Sequence, residues 1–164
     1  MPISGEVYRQ LGRAAAGAIS VVAARNHEQS SIIALTVSSF VTLSFDPPLV
    51  MFAIQHHTAS YAPIVTCRSF GVSLLGAEQA DVARRFASQG RECADHGSFQ
   101  DGPALQVPVV TGALAQIECL THELFMSGDH AIVVGMVEGV RTRHGAPLLY
   151  FARQYGGFTP LSGT

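Results

Sequence analysis

The residues best suited to chemistry are Thr36-Val37-Ser38-Ser39-Phe40, followed one strand length later by Asp46-Pro47-Pro48-Leu49-Val50. Small hydroxyls beside peptide groups, set against a rigid Pro-Pro corner, supply what a flat polar ring system needs for recognition along its edge. The plainer reading is that Thr36, Ser38 and Ser39 occupy a strand and bond to nearby backbone. Asp46-Pro47-Pro48 reads first as a corner, because each proline fixes its own φ and neither donates to a ladder. Gly128-Asp129-His130 is the second point of interest, a turn that delivers an imidazole to the start of a strand. Nucleophilic chemistry is not indicated. Cys119 alternates with Glu118 on an apolar strand and reads as core, and no Ser/His/Asp or Cys/His arrangement is recognisable, which argues against a hydrolase. His56 and His57 are adjacent, so they cannot face one ion as an i, i+4 pair does, and no metal site is expected.

The elements that must hold these residues are mostly strands. Residues 19–24 and 32–37 are apolar stretches flanking the polar loop 25–31, a hairpin pattern. Residues 41–45 and 49–54 read as strands on either side of Asp46-Pro47-Pro48, and residues 70–75 as another. The period then changes: over residues 78–87, Val82 and Phe86 lie one turn apart and Asp81 can pair with Arg85, so one amphipathic helix interrupts the sheet. Residues 90–108, rich in Gly, Pro, Asp and Gln, read as a surface excursion able to close over a site. Long strands over 114–126 and 131–140 join through Ser127-Gly128-Asp129, and residues 148–152 form a last strand. Gly135 is expected to mark a bend. An N-terminal helix over residues 4–16, with Ser4 as its cap, is expected to cover one end or edge. Strands at this spacing with no repeated βα alternation predict a mainly β protein, an antiparallel Greek-key barrel with one or two peripheral helices.

Composition narrows the function classes. At 164 residues, with 48% hydrophobic and 13% charged residues, the chain reads as one globular domain spanning residues 1–164. A formal charge of −2 offers no basic field for nucleic acid. Cys67, Cys93 and Cys119 are widely spaced without a metal pattern, consistent with reduced thiols. Neither a leader nor a membrane span is visible, so a cytoplasmic protein is expected. Between Glu28 and Arg68 the only charged residue is Asp46. Those strands are therefore expected to be buried on both faces or to cover a partner.

In order and spacing, TVSSF, FDPPLVMF, FGVSLL with ADVARRFA, GALAQIEC, SGDHAIVVGMV and APLLYFARQY resemble the flavin reductase-like family of split-barrel flavin-binding proteins, over roughly residues 17–155. The resemblance implies a homodimeric NAD(P)H:flavin oxidoreductase that reduces FMN or FAD with NADH or NADPH, often supplying a separate monooxygenase. It implies that Thr36, Val37, Ser38 and Ser39 meet the flavin, with Thr58 and Ser60 near its phosphate. Arg84, Arg85 and Phe86 match the family's phosphate-approaching helix. His130 would orient the nicotinamide donor, and Tyr155 would cover the ring. Gln55 and His56-His57 depart from the commonest family pattern. A non-enzymatic flavin- or haem-binding protein, or an oxidase or electron-transfer flavoprotein with tightly held FMN, would use the same scaffold.

Overall fold

Ser4 starts the first helix, its Oγ accepting from the Val7 amide at 3.3 Å, and α1 runs over Gly5–Ala14. The structure is a computed structural model that describes residues 3–26, 31–87, 92–93 and 96–161. No residue of α1 is buried, and Val7, Tyr8 and Leu11 stay exposed. The expected covering role is therefore not met within this chain. The apolar face of the helix lies bare, and its end is tied to the body where Arg13 O accepts from the Ala152 amide at 3.2 Å.

Among the described residues the large sheet has eight strands, all antiparallel. In chain order the strands of the fold are β1 (Gly17–Ala18), β2 (Ser20–Asn26), β3 (Ser31–Val37), β4 (Val41–Ser44), β5 (Leu49–Gln55), β6 (Ser69–Leu74) and β7 (Glu92–Cys93). They continue as β8 (Phe99–Asp101), β9 (Pro108–Val110), β10 (Ala115–Ser127), β11 (His130–Thr142), β12 (Leu149–Phe151) and β13 (Gln154–Gly156). The large sheet runs β4-β5-β11-β10-β6-β2-β3-β7; β1, β12 and β13 form a second sheet, and β8 pairs with β9. Two further helices are α2 (Tyr61–Thr66) and α3 (Ala80–Ala87).

The expected strands are present with shifted ends. The β2–β3 hairpin pairs Ser20 with Val37 and Asn26 with Ser31, while residues 27–30 of its connection lie outside the described residues. Asp46-Pro47-Pro48 turns the chain from β4 into β5 through a cis Asp46–Pro47 bond. Helix α2 is absent from the elements read in the sequence, and it contains Pro63. That proline sits in the first turn, where the missing N–H has no intrahelical partner to lose. Asp81 pairs with Arg84 at 2.7 Å rather than with Arg85, which instead donates to Ser98 Oγ at 3.2 Å.

Two cores sit on opposite faces of β2 and β3. On one face Val22, Leu35, Phe52, Phe70, Val72, Cys119 and Val133 pack with Ile64 of α2, and Phe52 meets Phe70 edge-on at 5.5 Å. On the other, Val21, Ala34, Ala83, Phe86, Phe99, Val110 and Leu148 pack under α3. Strands buried on both sides have no place for charge, which accounts for the uncharged stretch through β3. β4 differs: Val41, Leu43 and the following Phe45 are exposed, Phe45 to 97%. The first core draws β3 and β5 together although they are not neighbours in the sheet. Ser39 Oγ reinforces that approach by accepting from the Ala53 amide at 3.0 Å and donating to its carbonyl at 3.2 Å.

Gly135 serves packing rather than a bend. A Cβ there would lie 2.5 Å from Phe70 Cζ and 2.9 Å from Cys119 Cβ, and the register shifts of this hairpin fall instead between Glu118 and Cys119 and between Thr121 and Glu123. The described part of the 90–108 excursion is likewise structural. Phe99 joins the second core, and Glu118, 3% exposed, accepts from the Ala104 amide at 3.1 Å and the Leu105 amide at 2.6 Å.

Candidate functional site

The small sheet is knitted to the large one at Ile19, whose amide donates to Leu148 O at 3.0 Å and whose carbonyl accepts from the Leu75 amide at 3.0 Å. That junction opens a cleft of about 210 Å³ between the end of β3, the end of α3 and the β12–β13 hairpin. Ile19, Thr36, Val37, Ser38, Ala87, Tyr150 and Tyr155 line it. The chain leaves β3 at Val37 and joins no ladder again until Val41, so residues 38–40 lie outside the sheet, with Ser38 in the cleft lining. Tyr150 and Tyr155 face each other in the β12–β13 register with ring centroids 5.2 Å apart. Burial pushes the Tyr155 phenol up from its ordinary value, with a smaller contribution from Tyr150. The cleft thus combines flat apolar walls with a rim of main-chain donors and acceptors, the equipment of a ring-binding site.

Of the sequence-predicted residues, Thr36, Val37, Ser38 and Tyr155 come together in this lining. Arg84 stands beside them, its guanidinium 5.3 Å from the Tyr155 ring centroid. Several others are occupied within the fold. The Thr36 hydroxyl donates to Ala83 O at 2.8 Å, joining β3 to α3, and Ser39 is committed to Ala53. Phe86 is buried against Phe99 with ring centroids 5.4 Å apart. Thr58 Oγ1 donates to Gln55 O at 2.9 Å, and the fully buried Ser60 donates to Ala34 O at 3.5 Å.

His130 is not part of that lining. It sits at the first residue of β11, opposite Gln55 of β5, where its Nδ1 lies 2.6 Å from Asp129 Oδ1. Gln55 Nε2 donates to the other carboxylate oxygen at 3.4 Å. The His130 bond chiefly, then the Gln55 bond, hold the Asp129 carboxyl below its ordinary range. Nearby, His56 meets the Tyr61 ring edge-on at 5.1 Å, while His57 is exposed. Ser39 connects the two regions, since its partner Ala53 lies two residues before Gln55 on β5.

Cys67 and Cys119, the two thiols among the described residues, are unsuited to attack. Burial pushes Cys67 up to about 11 and Cys119 up to about 12, the latter also raised by Glu118 and Glu138. Among the described residues no group of three or more His, Cys, Asp or Glu side chains is placed to hold a metal ion. No helix among them is long and apolar enough to cross a membrane.

Sequence reading missed Ile19, Ala87 and Tyr150, and it took residues 148–152 as the last strand. The turn into β13 explains the omission. Ala152 and Arg153 both adopt positive φ, 49° and 66°, without the Asn, Asp or Gly that announces such a hairpin. A Tyr-x₄-Tyr spacing across a two-residue turn was the available signal for their pairing.

An antiparallel β scaffold whose cleft sets two facing tyrosine rings beside backbone that has left its ladder is suited to a flat ring ligand. The chain belongs to the flavin reductase like domain family, whose model matches residues 11–159. It is 38% identical over 152 residues to the reductase component of 4-hydroxyphenylacetate 3-monooxygenase from Thermus thermophilus, covering 92% of this chain and 94% of that protein. It is 30% identical to an NADH-dependent flavin reductase from a Rhodococcus species, with 90% and 82% covered. The flavin reductase component of a bacterial two-component tryptophan halogenase superposes with a TM-score of 0.87 at 28% identity, over 96% of this chain and all of the other. The cleft's lining fits a flavin in kind, with two tyrosine rings in its wall and backbone outside the ladder at Ser38.

Proposed function

We propose that this protein is an NADH-dependent flavin reductase that binds FMN or FAD in the β3–α3–β13 cleft and supplies reduced flavin to a separate oxygenase-type partner. The observation that carries the reading is the union, in one cleft, of the ladder-free peptide groups after Val37 with the paired rings of Tyr150 and Tyr155. The family membership and the activities for which the relatives are named support it, and they favour NADH over NADPH as the donor.

The bound flavin supplies the hydride acceptor. The chain's own work is to hold and orient. Peptide groups of Val37, Ser38 and Ser39 face the polar edge of the ring, and Tyr155 covers it. Arg84 and Arg85 offer charge to the phosphate, with the loop carrying Thr58 and Ser60 completing its surroundings. Thr36 and Phe86 keep α3 seated on β3 so that those arginines stay in reach. His130 orients the nicotinamide. On this reading the antiparallel sheets are those of a Greek-key split barrel, and residues 1–164 are one domain. A second copy covers the exposed faces of α1 and β4, and the homodimer acts in the cytoplasm.

Purified protein mixed with FMN or FAD accelerates NADH oxidation well above the flavin-only rate, read by absorbance. A matrix of two flavins against two nicotinamides ranks the substrates. No acceleration in any of the four combinations overturns the reductase reading.

A further inference from the structure

We propose that Asp129 is a positioning residue that fixes the His130 ring with its proton on Nδ1, leaving Nε2 as an outward acceptor for the amino group of a nicotinamide carboxamide. The inference rests on the nicotinamide-orienting role of His130 given above and adds how that role is set.

The geometry fixes the place of one proton. A carboxylate only accepts, so the 2.6 Å contact between Asp129 Oδ1 and His130 Nδ1 requires the proton on Nδ1. The neutral ring then presents a lone pair at Nε2. A carboxamide offers an NH₂ donor and a C=O acceptor on opposite sides of one plane, so the tautomer selects which of them meets His130. Selecting that side selects which way round the carboxamide lies.

The pair is built onto strand ends. Gly128, with φ of +60°, makes the turn that places Asp129 beside β11, and Ser127 pairs with His130 across it. Asp129 O accepts from the His56 amide at 3.0 Å, pinning the turn to β5, and Gln55 Nε2 holds the second carboxylate oxygen at 3.4 Å. Gln55 and His130 are themselves opposite each other in the β5–β11 register. Stability does not account for the arrangement. The side chains are 70% and 42% exposed, and ion pairs so placed contribute little to folding. What a short, doubly braced contact does at such a site is choose the orientation and tautomer of the imidazole.

The test uses the full chain labelled with ¹⁵N. Imidazole ¹⁵N–¹H correlations, with the His130 signals identified by their loss in His130→Ala, should show Nδ1 protonated and Nε2 unprotonated in the neutral ring. Asp129→Ala should return the proton to Nε2. In steady state with FMN, Asp129→Ala should raise the KM for NADH roughly 3- to 10-fold, the effect of losing one oriented hydrogen bond, with the KM for FMN nearly unchanged. Asp129→Asn, whose oxygen keeps the Gln55 bond and so turns its NH₂ donor toward Nδ1, should favour the opposite tautomer and share the loss. Protonated Nε2 in the unsubstituted protein, or the same tautomer in Asp129→Ala, overturns the proposal. So does an unaltered NADH KM in Asp129→Ala beside an impaired His130→Ala. Unaltered NADH kinetics in His130→Ala overturns the nicotinamide role itself, whatever the tautomer.

Discussion

The Arg84 guanidinium lies 5.3 Å from the centre of the Tyr155 ring while its Nη1 donates to Asp81 at 2.7 Å, so one cation ties helix α3 to the C-terminal hairpin. Helix α3 reaches the cleft at Ala87, and the hairpin reaches it at Tyr155 itself. Contacts of this kind at exposed sites contribute about 0.5–1 kcal/mol, too little to matter for folding but enough to hold a ring in place. Arg84→Ala should therefore weaken FMN binding several-fold with little change in Tm, and Tyr155→Ala should weaken it more. Quenching of flavin fluorescence on titration measures both. Equal flavin affinity in all three proteins would contradict the placement of the cofactor.

The Glu118 carboxylate holds the turn at residues 104–105 through backbone amides alone. Removing it leaves those amides without their acceptor, at a cost of about 1–3 kcal/mol. Glu118→Ala should speed hydrogen exchange at Ala104 and Leu105 and leave flavin binding intact, because neither residue lines the cleft. Unchanged exchange would show that the turn is held otherwise.

At Gly135 a single methyl is too much. Its Cβ would meet Phe70 and Cys119, both fully buried, and overpacking at such a point costs about 1–3 kcal/mol. For a domain of this size each kcal/mol lowers Tm by roughly 2–4 °C. A Gly135→Ala protein with unaltered thermal unfolding would show that Phe70 can yield.

Folding raises the thiols of Cys67 and Cys119 from an ordinary value near 9 to about 11 and about 12. The sign follows from burial, which disfavours the thiolate. The associated stability is intact below the ordinary thiol range and is lost as pH climbs through about 11 to 12. At pH 8, iodoacetamide should modify neither residue in the native protein and both after unfolding, by peptide mass mapping. Rapid native labelling of Cys119 would refute its placement in the core.

Apolar side chains lie bare on α1 and around β4, including Tyr8 at 66% and Phe45 at 97% exposure, and the proposed second copy would cover them. Sedimentation should give twice the 17.4 kDa chain mass. The double variant Tyr8→Asp, Phe45→Asp should lower it toward a single chain. An unsubstituted protein that sediments as one chain would refute the dimer.

Alternation and turn residues carried most of the fold into view. The Pro-Pro corner, the Gly128 turn and the Ser4 cap each act through local chemistry that a sequence displays directly. What escaped depends on partners distant in the chain. The Thr36 hydroxyl looks available until Ala83 O arrives beside it, and Arg84 and Arg85 compete for Asp81 on terms set by Tyr155 and Ser98. The β12–β13 hairpin escaped for a different reason, because Ala152 and Arg153 take left-handed backbone without residues that advertise it. Of the site, the β3 side was legible as a motif, whereas the facing wall of Tyr150 and Ala87 was not.

The stretch from Ser38 to Phe40, free of any ladder, gives the rim of the cleft a property that side chains lack. Peptide groups are the same in every residue type except proline. A ligand read by this rim would tolerate drift in the letters of the segment provided its path is kept, and alanine scanning there would under-report its importance. Replacing single peptide bonds with esters, which deletes one donor at a time, is the form of mutagenesis that addresses it.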